Sequence, residues 1–496
     1  MIKNQIAKAI TMALVGSLAT SSALAEEKKP DSAEDSTMVK LIDALYENGS
    51  IDSKAYGALR LSAAGEKPVK KEKPLTPEEK KAQATKGSPV NVTYKNGFHF
   101  ESEDGQHSLE LITRIQADSY NSISAGDNNN ASTDRFDIRR AYLYTQGKVF
   151  KNWEYLLVGS FQGTPQLVWA EINAHLWDEA QFKFGQFRFP FSVNENTSSR
   201  NIDFMERAMA MQFIPGLDRG AMIHGIPTTG LYYGLGVVNG GIRNNAGLKS
   251  TGIDETSDVD GKDFLGHVSY NAAPLLGHTD SIYHFGVSGS FGQEPTKPGD
   301  ANYQLRAVTE TNSLKFFQAD SFNDPSVNLS RVGATTVLAH GPIRFTGEYV
   351  NNNFTGTSTA GQDFDRSIDA YYLSGHWMLT GESYAKAFGK MNAFGDIVPN
   401  RNFDMNGGWG AWELGFRFSH MDASDFKANN AVGTGVLSSG FANQADGYTV
   451  GLKWVVNRHI RFLANYVLTD FDQTVIANKT PLSTEQAINF RTQFNF

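Results

Sequence analysis

The sequence predicts an all-β fold: a transmembrane antiparallel β-barrel of sixteen strands, with eighteen as the alternative, preceded by a short periplasmic helical and linker segment. Three observations carry this. From about residue 90 to the C-terminus apolar residues recur with a period of two. Many of these runs reach ten or more residues, enough to cross a bilayer at a tilt and longer than the strands of most soluble sandwiches. Short and long connections broadly alternate between them. Aromatics make up 12% of the 496 residues and glycine contributes 47, yet no run of about 20 apolar residues follows the N-terminus, as a helical membrane protein would need.

Residues 1–25 read as a secretory signal peptide. Lys3 and Lys8 form a basic start, Ala9 to Leu18 a short apolar core, and Ala23-Leu24-Ala25 a small-x-small cleavage site. Cleavage removes two lysines and no acid, which takes the formal charge from −8 to −10. So acidic a chain argues against a nucleic-acid partner. The complete lack of cysteine excludes thiolate metal sites, thiol nucleophiles and disulfides. Residues 26–89 differ from the rest. Val39, Ile42, Leu45 and Tyr46 have helical spacing, Asn48-Gly49 interrupts it, and Ala55, Leu59 and Leu61 suggest a second helix. A charged, proline-punctuated linker follows with almost nothing to bury. The segment is read as a tether plus a helical hairpin.

Residues 90–496 form the barrel. Trp412, Leu414, Phe416 and Phe418 alternate with Glu413, Gly415, Arg417 and Ser419; Tyr448, Val450, Leu452 and Trp454 alternate with Thr449, Gly451 and Lys453. Sixteen such strands run from 108–119 to 487–496. Parity makes residues 90–103 an extra hairpin at the periplasmic rim. Short connections fall at 150–152, 178–179, 341–342 and 457–459; long ones are expected at 121–134, 192–218, 351–367 and 423–445. Residues 380–411 break the rule, being long where a turn is expected.

Several segments resemble the phosphate-selective O/P porins of Gram-negative outer membranes: DIRRAYLYTQGKVFKNWEY (137–155), GQFRFPFSVNENTSSRNIDFMER (185–207), GPIRFTGEYV (341–350), GWGAWELGFRFSH (408–420) and YTVGLKWVVNRHIRFLANYVLTD (448–470). The resemblance implies a homotrimer of sixteen-stranded, water-filled channels for small anions, set among outer-membrane lipid and lipopolysaccharide and needing no cofactor. It places Arg114, Arg139, Arg140 and Tyr142 on the arginine lining of the pore. Arg188 stands where the family often has a lysine, with Glu171 near the position of that cation's acidic partner.

Within this frame the residues suggest more. Selectivity of a pore comes from its radius and the charges at its narrowest part. The connection 192–218 is too apolar to extend into water, so it is expected to fold into the lumen as a constriction loop carrying Arg200, Phe204, Met205, Glu206 and Arg207. Alternation turns Arg114, Arg344, Arg417, Lys453, Arg461 and Arg491 inward, against Glu348 and Glu413. Adjacent Arg139 and Arg140 cannot both face the lumen on a regular strand; one must lie at a subunit contact, a rim or a bulge. His267 stands where the family favours arginine, which argues for anion preference rather than strict phosphate or polyphosphate selectivity. No HExxH or GxSxG occurs, and Asp258-x-Asp260 lacks the closing glutamate of a calcium loop. The expected function is passive diffusion through an anion-preferring porin. The alternatives are a non-selective general porin and a lipase-like barrel enzyme, the latter allowed only weakly by scattered histidines such as His420.

Overall fold

The computed structural model describes residues 37–49, 52–64, 89–94, 97–123, 134–240, 262–294, 305–320, 322 and 327–496. The signal peptide, most of the linker and the Asp258-x-Asp260 motif lie outside them. Two compact units result, with the division between Gly87 and Ser88. In the first, helices α1 (Thr37–Glu47) and α2 (Ser53–Ala64) meet through stacked Tyr46 and Tyr56 rings, 4.3 Å apart. Asp43 accepts from the Tyr56 hydroxyl and from Arg60.

The second unit is a run of strands: β1 (Val90–Tyr94), β2 (Phe98–Ser102), β3 (Ser108–Ser122), β4 (Arg135–Val149), β5 (Trp153–Ser160), β6 (Gln166–Ala174), β7 (Gln181–Arg188), β8 (Leu217–Thr228), β9 (Leu231–Val238), β10 (Asp263–Asn271), β11 (Ser281–Glu294), β12 (Leu305–Val308), β13 (Lys315–Ala319), β14 (Val327–His340), β15 (Ile343–Thr357), β16 (Asp363–Met378), β17 (Ala411–Asp422), β18 (Gln444–Val455), β19 (Ile460–Ala477) and β20 (Thr480–Asn495). Among the described residues sixteen of these, β3–β11 and β14–β20, close into an antiparallel barrel whose last strand pairs with β3. The closing register is staggered: β20 reaches β3 only from Arg114 to Ser122. The β1–β2 hairpin covers the uncovered beginning of β3, pairing Phe98 with Leu111 and Glu101 with Ser108. A sheet edge that would otherwise stay open is thereby paired. No described helix is long and apolar enough to cross a membrane.

Both chain ends of the barrel and most of the short turns lie at one end, the periplasmic end by the rule for such barrels. At the other end the expected loop 351–367 is mostly strand. β15 and β16 continue outward and join through a turn at 358–362, because Asn353, Thr355 and their partners keep the ladder beyond the apolar band.

The barrel is not empty. Three connections turn inward. The β7–β8 connection (189–216), with its short helix α3 (Val193–Asn196), crosses the lumen. The β12–β13 hairpin enters from the outer end. Residues 384–397 enter from the periplasmic end, burying Tyr384, Phe394 and Ile397. The last of these explains the long 380–411 break: its apolar residues fill the barrel. Room for this comes from glycines on the inward face. A Cβ at Gly451 would stand 2.7 Å from the Phe204 ring, and one at Gly333 would stand 2.6 Å from Phe191.

Candidate functional site

The site begins with an irregularity. β3 and β4 pair Gln116 with Arg140 and Ala117 with Ile138, leaving Arg139 without a partner in the ladder. This bulge inserts one residue and resets the alternation. Arg139 and Arg140 therefore both turn inward, which settles the conflict that regular alternation poses. A second bulge pairs Val158 with Trp169 and Gly159 with Leu167, so Val168 and Trp169 both reach the same cavity.

That cavity, about 380 Å³, lies between β3–β7 and the inward loop. Six cations line it, Arg114, Arg139, Arg140, Lys183, Arg188 and Arg207, against two carboxylates, Glu171 and Glu195. Several are held from behind. Arg139 pairs with Glu206 at 2.8 Å, and Glu195 takes both Arg188 (2.9 Å) and Arg207 (2.7 Å). Arg114 and Arg140 differ. Arg114 donates to Ser199 and Ser198 hydroxyls and lies over the Tyr144 ring; its Nε has no partner. Arg140 donates to the Gln116 amide oxygen at 2.9 Å. Among the described residues neither is paired with a carboxylate. A guanidinium bonded only to neutral oxygens keeps its full charge for a solute.

A second cavity of about 620 Å³ opens toward the periplasmic end, lined by Phe98, His99, Glu110, Ile112, Arg200 and Asp396. It shares Arg114, Tyr144, Gln146 and Ser198 with the first, so Arg114 stands between the two.

The remaining wall cations hold the loops. Arg461 donates to the Arg200 carbonyl, Arg491 to the Met205 carbonyl at 2.6 Å, and Arg417 to the Glu206 carbonyl at 3.1 Å. Arg344 pairs with Asp203 at 2.6 Å, and Lys453 bridges Asp203 and Glu413. His376 completes this cluster, whose three potential ligand atoms lie within 4.8 Å of one another. Arg344 and Lys453 already satisfy its carboxylates, so it is an ion-pair network. Glu310, on the turn of the β12–β13 hairpin, accepts from Arg417 Nε, Ser419, Thr449 and the Met209 amide. Glu348 accepts the free amides of Val193 and Asn194 at the start of α3.

These placements correct several sequence expectations. Arg344, Arg417, Lys453, Arg461 and Arg491 face inward as alternation requires, but they line neither cavity and instead hold the loops. Glu171 pairs with Lys183 at 2.9 Å and not with Arg188. Phe204 and Met205 do not line the opening: Phe204 packs against Arg417 and His376, and Met205 against Tyr120 and Leu463. Glu206 backs Arg139 from outside the lining. Arg200 faces the periplasmic cavity, held by Asp396 at 2.7 Å. Only Arg207 of the loop set lines the first cavity, joined there by Tyr142. His267 is buried between Ser288, Ser269 and Asn392. Lys183 and Glu195 were missed. Lys183 lies on a short strand whose inward face alternation identifies; Glu195 carries no signal, since only the folded loop brings it to the wall.

A closed sixteen-stranded barrel, apolar outside and charged within, defines an outer-membrane porin. The model of the phosphate-selective porin O and P family matches residues 110–496, and the chain belongs to that family. It is 22% identical over 419 residues to Porin O of Pseudomonas aeruginosa, covering 78% of this chain and 89% of that protein. Among solved structures, it is similar to OprB of Pseudomonas putida (9% identity, 79% of this chain and 95% of that one, TM-score 0.48). It is also similar to an anion-selective porin from Comamonas acidovorans (11% identity, 79% and 100%, TM-score 0.46). The protein is a channel of the outer membrane.

Proposed function

We propose that this porin passes anions in preference to cations, with the cavity between β3–β7 and the inward loop as its selectivity site. The observation that carries the reading is the lining, among the described residues, of six cations against two carboxylates, with neither Arg114 nor Arg140 paired to a carboxylate there. Phosphate-class anions suit it, because a planar guanidinium fork matches phosphate oxygens. The working unit is a homotrimer. Phe136, 90% exposed on the outer wall, stands beside a depression of about 480 Å³ lined by Ala117, Ser119 and Thr492, a knob and a hollow suited to neighbouring copies. Planar-bilayer recording in a salt gradient tests the anion reading. A reversal potential of anionic sign is expected, together with block of chloride current by added phosphate. A cationic sign would overturn the reading.

A further inference from the structure

The connection between β16 and β17 has two halves with opposite destinations. Residues 384–397 enter the barrel, where Arg344 lies over the Tyr384 and Phe394 rings. Residues 398–410 then leave it and hook over the periplasmic rim onto the outer wall. The wall residues they meet prove the side. Glu413 and Lys453 point inward and are ion-paired, so Trp412 and Trp454 point outward. Both outward indoles donate to the Trp409 carbonyl, at 3.1 and 2.9 Å, and Phe403 stands edge-on to Trp454 at 5.2 Å.

The hook displays its apolar side chains. Met405 is 86% exposed, Trp409 71% and Val398 50%. Met405 is also held at φ +57°, a left-handed conformation that costs a non-glycine residue free energy. The turn is made rigid from within. Asp404 accepts the amides of Asn406 and Gly408 and pairs with Arg401. Those amides, with Arg401, keep its carboxyl below the usual carboxylate range. A Cβ at Gly408 would stand 2.0 Å from the Asn402 carbonyl oxygen, so the shape requires glycine there. A rigid, strained turn that presents methionine and tryptophan to water is unfavourable twice over. Both costs are offset if the exposed groups are in lipid. The wall on which the hook lies already is: Trp412, Trp454 and Phe462 form a stacked outward row continuous with it. Tryptophan and an ion-paired polar turn are the side chains suited to the boundary between headgroups and acyl chains.

We propose that residues 398–410 are an interfacial anchor, in which Met405 and Trp409 insert into the phospholipid of the periplasmic leaflet beside the barrel. The occupant is phospholipid acyl chain and glycerol backbone, not a second copy of the chain and not a periplasmic protein.

The chain has no cysteine, so a single introduced one is labelled uniquely. Met405→Cys, Val398→Cys and a control, Gln106→Cys at an exposed hairpin turn, each carry a nitroxide in the full-length protein. All are reconstituted in vesicles of phosphatidylethanolamine and phosphatidylglycerol, and each variant is first confirmed as a conducting channel. The expected result is a ratio of oxygen to nickel-chelate collision rates severalfold higher at 405 and 398 than at 106. Nickel accessibility at both sites equal to that of the control would overturn the proposal. So would spin–spin broadening at 405 that vanishes on dilution with unlabelled protein, because a second copy would then cover the hook.

Discussion

At the residue scale, the wall cations divide by what they face. Arg188 is ion-paired with Glu195, its Nε 2.9 Å from the carboxylate and its Nη1 donating to the Glu195 carbonyl, whereas the partners of Arg114 are the neutral hydroxyls of Ser198 and Ser199. Arg114→Ala is therefore expected to lower both anion preference and phosphate block. A unit charge about 5 Å away in water is worth about 0.8 kcal/mol, roughly a fourfold change in local anion occupancy. Arg188→Ala should lower the anion preference in the same recording while leaving phosphate block largely intact. Equal loss of block in the two variants would refute the distinction. Glu310 tests the other class. Glu310→Gln leaves buried Arg417 without its counter-charge, and breaking such a pair costs about 3–5 kcal/mol. Unfolding of the purified variant in detergent should move to lower temperature accordingly, and an unchanged transition would show that the hairpin is not pinned there.

At the element scale, the inward loop is held in three ways: by a carboxylate cap on α3, by arginines on its carbonyls, and by aromatic side chains seated in glycine gaps of the wall. Gly451 and Gly415 form such a gap for Phe204, where a Cβ would come within 2.7 and 3.1 Å of the ring. Gly451→Val is expected to displace Phe204, loosen the loop and raise single-channel conductance with greater current noise. Conductance and noise equal to those of the unaltered channel would argue that Phe204 does not position the loop. The strands themselves were legible, because a wall with lipid on one side and charge on the other enforces a period of two. The Arg139–Arg140 bulge was not. A bulge depends on how two strands pair, and a single strand carries no record of its partner's register. Residues 379–410 were illegible for a related reason. Apolar residues in a connection have no period, so nothing local separates those that enter the barrel from those that hook outside it.

At the scale of the whole molecule, the inward connections pack against the wall from β8 round to β20, burying Met222, Leu265 and Ile282 as well as Val350 and Val455, and leave the cationic cavity beside β3–β7. The selectivity site proposed above thus occupies one flank of the cylinder rather than its full circumference. The split between Gly87 and Ser88 leads to a further expectation. A chain of residues 88–496, supplied with an export signal, should form the same conducting barrel. Loss of its heat-modifiable compact form on electrophoresis would show that the helical unit is needed for barrel assembly.

Read alone, the amino-acid order yields the cylinder: sixteen strands with eighteen as the alternative, their inward and outward faces, an extra hairpin at the rim, and the excess of inward arginine. These are consequences of local alternation, which needs only neighbouring residues to be read. The tertiary structure decided which of those arginines remain available. That depends on carboxylates brought from far along the chain, Asp203 to Arg344, Glu206 to Arg139 and Arg491, Glu310 to Arg417. Charge pairing is settled by distance in space, and only the folded loops set those distances.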